Sequence, residues 1–151
     1  MDRYPPQIRH NFLLPVRVYY EDTDAGGVVY HSKYLNYMER ARTEWLSALG
    51  FEQDWLASEL GVLFVVHSLQ LSYLKPARFN DRLQVETRIR QRRAGSLVFA
   101  QDIWRVARKA QQTVAEKEHL VSAEVRVACI RQQDFRPTAI PTLIKDAFRD
   151  D

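Results

Sequence analysis

The stretch Tyr20-Glu21-Asp22-Thr23-Asp24-Ala25-Gly26-Gly27-Val28-Val29-Tyr30-His31 gathers carboxylates, phenols and an imidazole just ahead of a segment with helical spacing. A helix N-terminus exposes free N–H groups and a positive dipole end, so it stabilises developing negative charge. A carboxylate placed just before it can attack a carbonyl directly or act as general base toward water, while peptide N–H groups hold the oxyanion. His31 falls where its backbone N–H, its imidazole, or both could face a substrate carbonyl. The same residues also make an ordinary turn. Asp-Thr-Asp before a glycine pair is common turn chemistry, and Asp24 could simply cap it. Spacing alone leaves both readings standing.

Other reactive residues carry less pattern. His67 falls on an otherwise apolar strand face, where a core or interface histidine is the expected role rather than a catalytic one. His10 and His119 form no pattern, and no His/Cys/acid spacing suggests zinc. Glu39 lies at the edge of the helical stripe, with Arg42 at i+3 as the basic candidate for an ion pair, because i+4 is Thr43.

The elements that must position these groups follow from periodicity. Residues 14–22 read as a strand, with Val16, Val18 and Tyr20 alternating against Arg17 and Tyr19. Residues 32–49 read as a helix whose stripe is Tyr34, Met38, Ala41, Trp45 and Leu49, stopped by Gly50. Leu35, Tyr37 and Leu46 flank that stripe, as expected of a helix wrapped by other structure. A short helix or irregular segment is expected over residues 52–60. Leu63, Val65, His67, Leu69, Leu71 and Tyr73 read as one strand face, ended by Lys75-Pro76. Leu83, Val85, Thr87 and Ile89 alternate with charged or polar residues, the pattern of a strand buried on one side. A turn at Arg93-Ala94-Gly95-Ser96 leads into a strand through Trp104 and Val106, and a further turn is expected near residues 109–112. Val121, Ala123, Val125, Val127 and Cys129 mark the last strand, and Pro141 opens a short C-terminal helix. One strand, one long apolar helix and then four strands imply an α+β fold, an antiparallel sheet wrapped around the helix. Its edges and open face favour an oligomer.

The run from Tyr20 to Arg42, Tyr-x-Asp-Thr-Asp-Ala-Gly-Gly-Val-Val-Tyr-His-x-x-Tyr-Leu-x-Tyr-x-Glu-Arg-Ala-Arg, resembles the hot-dog-fold acyl-CoA thioesterases of the 4-hydroxybenzoyl-CoA thioesterase family. It is most similar to the bacterial branch associated with the Tol–Pal system. Lys75-Pro76-Ala77-Arg78-Phe79-Asn80-Asp81-Arg82-Leu83 is similar to the turn entering that family's middle strand. The resemblance implies one domain over residues 1–151, with a hot-dog core at about 14–131 and a helical tail at about 140–149. It implies that the catalytic carboxylate is Asp24 rather than Asp22, that the His31 N–H polarises the thioester carbonyl, and that Tyr20 and His31 accompany the acid. It also implies contacts to substrate at Gly27, Val28, Tyr30, Glu39, Arg93 and Ser96. Glu39 falls where the aromatic-acyl branch faces the acyl group. Arg88, Arg90, Arg92 and Arg93 could meet CoA phosphates, although Arg88 and Arg90 read better as a solvated strand face. That branch has a longer basic run ending in Ser, whereas here Ala94 and Gly95 separate Arg93 from Ser96. Acyl carrier protein is therefore an alternative donor to acyl-CoA. The expected reaction is hydrolysis of short- to medium-chain acyl-CoA, without metal or other cofactor, by a homodimer or homotetramer. The rivals are an acyl-thioester dehydratase or hydratase on the same fold, and a non-catalytic interaction module.

Composition bounds these readings. The chain has 151 residues, 46% hydrophobic and 27% charged, in the globular range. Its formal charge of +3 is too small to argue for nucleic acid. One cysteine, Cys129, cannot form an internal disulfide. Residues 1–6 lack the apolar core of a secretory signal, and no run approaches the roughly 18 apolar residues of a membrane span. A cytoplasmic protein with no transmembrane segment is expected.

Overall fold

The alternating segments become the middle of a five-stranded antiparallel sheet in the computed structural model, which describes residues 10–107 and 117–148. The strands are β1 (Asn11–Arg17), β2 (Val62–Tyr73), β3 (Arg82–Arg92), β4 (Ser96–Val106) and β5 (Glu118–Arg131). Their order in the sheet is β1-β3-β4-β5-β2, so β1 and β2 form the edges. The helix α1 (Lys33–Ala48) lies across the concave face, with Tyr34, Tyr37, Met38, Ala41, Trp45 and Leu46 buried. They join Leu83, Val85, Phe99, Ile103, Val121 and Val125 in one core. Gly50, at φ +97°, turns the chain out of the helix in a conformation that residues with a Cβ rarely adopt.

A short α2 (Gln53–Trp55) runs on through a wider turn, Leu56–Leu60, into β2. The C-terminal α3 (Thr142–Ala147) closes the far end of the core, where Phe148 packs edge-on to Trp45 at 4.8 Å. Arg92 ties it down by donating to the carbonyls of Lys145 and Phe148. Two polar residues are completely buried between α1 and the sheet: the Gln101 amide donates to the Met38 carbonyl at 3.0 Å and to Thr87 Oγ1 at 2.9 Å. Both groups are satisfied, as a buried amide requires.

Three expectations change. The first strand ends at Arg17, and Tyr20 begins a single 3₁₀ turn, Tyr20–Asp22, instead of continuing the alternation. The cause is Asp22, whose carboxylate accepts the Tyr19 amide at 2.9 Å and curls the chain. The second change is on β2, where the pairing with β5 shifts between Val66 and Ser68. A bulge swaps the faces beyond it, so Phe64 before the shift and Leu71 after it both pack on the core. Leu63 and Val65 therefore do not share a face with Leu69, Leu71 and Tyr73. Third, of the core and interface roles expected for His67, the core role falls away, because at that bulge it is exposed in the single chain, with Ser68 Oγ at 3.4 Å from its Nδ1. The turn near 109–112 and the segment 1–6 lie outside the described residues. Among the described residues, no helix is long and apolar enough to cross a membrane.

Candidate active site at the N-terminal end of the central helix

The loop from Tyr19 to Ser32 is knitted by its own backbone. Asp24 N–H donates to the Val28 carbonyl at 2.9 Å, Gly27 N–H to the Asp24 carbonyl at 3.0 Å, and Tyr30 N–H to the Asp22 carbonyl at 2.9 Å. Gly27 sits at φ +78°, which the tight reversal requires and a residue with a Cβ would resist. The two acids of Asp-Thr-Asp end in opposite environments. Asp22 is 5% exposed, with Lys33 Nζ at 4.0 Å. Among the described residues the buried Tyr37 hydroxyl has no partner at full hydrogen-bond geometry, and burial, then the nearby Asp22 carboxylate, push its pKa well up. Asp24 is exposed, and its Oδ1 accepts the Gly26 N–H at 2.8 Å. That single bond orients the carboxylate and leaves its other oxygen open.

A second turn supports the loop from beneath. Val29 N–H donates to the Ala77 carbonyl at 2.8 Å, and Val28 bridges to Arg78. Ala77 N–H in turn donates to the buried Tyr34 hydroxyl at 3.0 Å, whose pKa burial raises. The turn is pinned by Asp81, which accepts the Arg78 N–H at 2.8 Å and an Arg105 Nη1–H at 2.6 Å. Arg105 also reaches the Pro76 carbonyl at 3.2 Å and pairs with Glu118. This buried acid had no signal in local spacing, because its partner lies a strand away.

At the start of α1, the N–H groups of His31 and Ser32 donate to no group among the described residues. Tyr73 Oη donates to the His31 carbonyl at 2.9 Å, and the Tyr30 ring stacks on the His31 imidazole at 4.2 Å. A cavity of about 230 Å³ opens here, with Val29, His31, Tyr73 and Lys75 among its walls. Tyr20 is 75% exposed and lies flat on Phe79, ring centroids 3.8 Å apart. Asp24, His31, Tyr20, Gly27, Val28 and Tyr30 thus belong to one loop and the helix start it feeds. Among the described residues, no side-chain hydrogen bond joins Asp24, His31 and Tyr20 to one another. Tyr73 was not among the sequence candidates; its signal was a polar-tipped aromatic closing a strand face.

The remaining candidates are elsewhere. Glu39 and Arg42 stand two turns down α1, on a second cavity of about 290 Å³. Burial lowers the Arg42 pKa, and Glu39 acts on it in the opposite sense. The Arg93–Ser96 turn closes at the other end of β3, where Arg93 N–H donates to the Ser96 carbonyl at 2.9 Å. Eleven residues of β3 separate that turn from Asp81, roughly 35 Å at the usual rise of a strand. A single chain therefore does not bring Arg93 and Ser96 to Asp24. Arg88 pairs with Asp102 at 3.6 Å and Arg90 with Glu124 at 2.6 Å, as expected of a solvated strand face.

Comparison with known proteins gives this arrangement its family. A model of the thioesterase superfamily matches residues 26–110. The chain belongs to the thioesterase superfamily. This thioesterase is 42% identical over 139 residues to acyl-CoA thioesterase YbgC of Haemophilus influenzae, covering 92% of this chain and 95% of that one. It is 45% identical to acyl-CoA thioester hydrolase YbgC of Escherichia coli O6:H1, covering 91% and 96%. Among solved structures it is similar to a probable thioesterase from Bartonella henselae (32% identity, TM-score 0.75, 87% of this chain and 99% of that one). It also shares its fold with 4-hydroxybenzoyl CoA thioesterase from Pseudomonas sp. strain CBS-3 (18% identity, TM-score 0.81, 91% and 99%). The protein is a thioester hydrolase with the hot-dog fold.

Proposed function

We propose that this thioesterase hydrolyses short- to medium-chain aliphatic acyl-CoA to the free acid and CoA, with Asp24 as the reacting carboxylate. The observation that carries this reading is an exposed Asp24 carboxylate, oriented by Gly26 N–H, together with a His31 N–H that meets no acceptor among the described residues where α1 begins. The His31 N–H donates to the thioester oxygen and polarises the carbonyl. Asp24 then attacks the carbonyl carbon, or takes the proton from a water that does. The C–S bond breaks, the thiolate leaves without strong acid assistance, and water supplies the oxygen and protons of the products. Tyr20 and the His31 imidazole flank the reacting centre, with Gly27, Val28 and Tyr30 as the backbone frame and Glu39 toward the acyl group.

CoA is favoured as donor by the two YbgC relatives, an acyl-CoA thioesterase and an acyl-CoA thioester hydrolase. Acyl carrier protein remains the competing donor. The exposed apolar side chains Val66, Leu69 and Tyr73 on edge strand β2 support association with a second copy. The test is thiol release from an acyl-CoA length panel, comparing wild type with Asp24→Asn. Loss of turnover with an unchanged fold supports Asp24; full activity in the variant overturns its role.

A further inference from the structure

The cavity of about 290 Å³ beside α1 is walled largely by apolar groups, including Leu46, Phe64, Val66, Leu97, Phe99 and Val127. Its polar walls are Glu39, Thr43, Gln53 and Arg42, and of these Arg42 is the cation. A guanidinium has five N–H donors, and a hydrogen bond to Gln101 Oε1 at 2.8 Å uses one of them. Gln101 is itself held on the Met38 carbonyl and Thr87 Oγ1, so it cannot swing to offer more. Among the described residues, no carboxylate lies within ion-pair distance of Arg42, and Glu39, on the same cavity, influences it only through space. A half-buried cation facing apolar walls is costly unless an acceptor meets it.

The cavity shares no wall residue with the one at His31, but both lie along the same helix and the same edge strand. Leu35, Glu39, Arg42 and Leu46 follow three- and four-residue steps down one side of α1. Beside them runs the concave row of β2, from Tyr73, which touches His31, through Leu69 to Val66 and Phe64 in the cavity wall. Because Arg42 reaches a glutamine anchored on Met38, its guanidinium sits about two turns from the His31 N–H, roughly 12 Å at 1.5 Å per residue. That span matches an acyl chain of about six carbons with a hydrogen bond at each end.

We propose that Arg42 reads the far end of the acyl group, so that the preferred substrate is a medium-length acyl thioester whose distal carbon carries a hydrogen-bond acceptor, a carboxylate or a hydroxyl. This rests on the function proposed above and narrows its substrate class. A plain alkyl chain in the cavity strips water from Arg42 and returns nothing, whereas a terminal acceptor replaces that water. Glu39 at the edge of the cavity tunes the choice between the two acceptors, disfavouring the anion relative to the alcohol.

The experiment is kcat/KM for hexanoyl-, 6-hydroxyhexanoyl- and adipoyl-CoA with wild type, Arg42→Met, Arg42→Lys and Asp24→Asn. Wild type is expected to favour at least one acceptor-bearing substrate over hexanoyl-CoA by roughly tenfold or more, the effect of one charged hydrogen bond. Arg42→Met removes that ratio, mostly through KM, and Arg42→Lys keeps part of it, which preserves the test if the Met variant folds poorly. Preference for adipoyl-CoA identifies the anion, and preference for 6-hydroxyhexanoyl-CoA the alcohol. Equal rates on all three substrates in wild type, or a parallel loss on all three in both Arg42 variants, overturns the inference. Asp24-dependent hydrolysis of hexanoyl-CoA without any preference sinks it alone; no Asp24-dependent hydrolysis of any of the three sinks the proposed function with it.

Discussion

The Asp22 carbonyl accepts the Tyr30 amide at 2.9 Å, and this contact closes the loop that carries Asp24. The Asp22 carboxylate secures the same loop at its other end by accepting the Tyr19 amide. Asp22 is thus the clasp and Asp24 the group it presents. Two acids two residues apart differ in role because Asp22 is buried and holds the loop, whereas Asp24, the proposed reacting group, faces solvent.

Asp22→Ala leaves the Tyr19 amide unsatisfied and loosens the loop. Losing one such bond costs about 1–3 kcal/mol, read as a lower midpoint in urea unfolding. The kcat for acyl-CoA falls more than KM changes, because the reacting carboxylate is misplaced rather than removed. Asp22→Asn, which keeps an acceptor for Tyr19, is expected to be milder in both measurements. Equal loss in the two variants would show that charge, not the clasp, is what matters.

Gly27 offers a test of the backbone alone. A Cβ added there meets nothing within 4 Å, but φ is +78°. Gly27→Ala should therefore destabilise by about 1 kcal/mol from conformation only, and Gly27→Asn by less, since asparagine tolerates this region. Chemical denaturation of both variants measures the difference, and an alanine variant as stable as wild type would contradict it.

The Asp81–Arg105 pair supports the turn beneath the loop. Arg105→Met removes the cation beside a carboxylate that is 5% exposed, against 20% for Arg105, and that keeps its hydrogen bond from Arg78 N–H. Breaking a buried pair from one side costs about 3 kcal/mol, toward the low end here because Arg105 is partly solvated. A double-mutant cycle with Asp81→Asn should recover part of that loss. Additive losses in the cycle would mean the two residues act independently.

Cys129 gives a pH dependence with a definite sign. Burial raises its thiol pKa to about 11 from an ordinary value of 9.0. A folded pKa above the unfolded one adds stability that is complete below pH 9 and disappears as pH rises toward 11. Cys129→Ala is expected to flatten the fall of stability with pH over that window relative to wild type. Consistently, a thiol reagent at pH 8 should label Cys129 only as the protein unfolds; rapid labelling of the folded protein would refute its burial.

How far the sequence reached differs from element to element. The helix around Tyr34, Met38, Ala41 and Trp45 was legible almost to the residue, and β3, β5 and the C-terminal helix in type and place, with ends two or three residues off for the last two. Each of those signals is a local period that the core then uses directly. The edges were less legible. Alternation carried past Arg17 hid the turn made by Asp22, and a continuous apolar run hid the bulge at Val66–Ser68, since a bulge is a matter of pairing with β5. The family motif marked Asp24 and His31 before any coordinates, but their spacing alone did not separate a reactive carboxylate from a turn cap.

By itself, then, the sequence determined the fold class, the order of elements and the loop proposed to carry the chemistry, because those depend on local pattern and on motif. Tertiary structure alone decided which acid is buried, which amides lack a partner among the described residues, that Asp81 and Arg105 meet, and that Arg42 bonds Gln101 at the wall of a cavity. Burial and unmet hydrogen-bonding capacity are properties of neighbours brought from distant strands, and no local spacing records them.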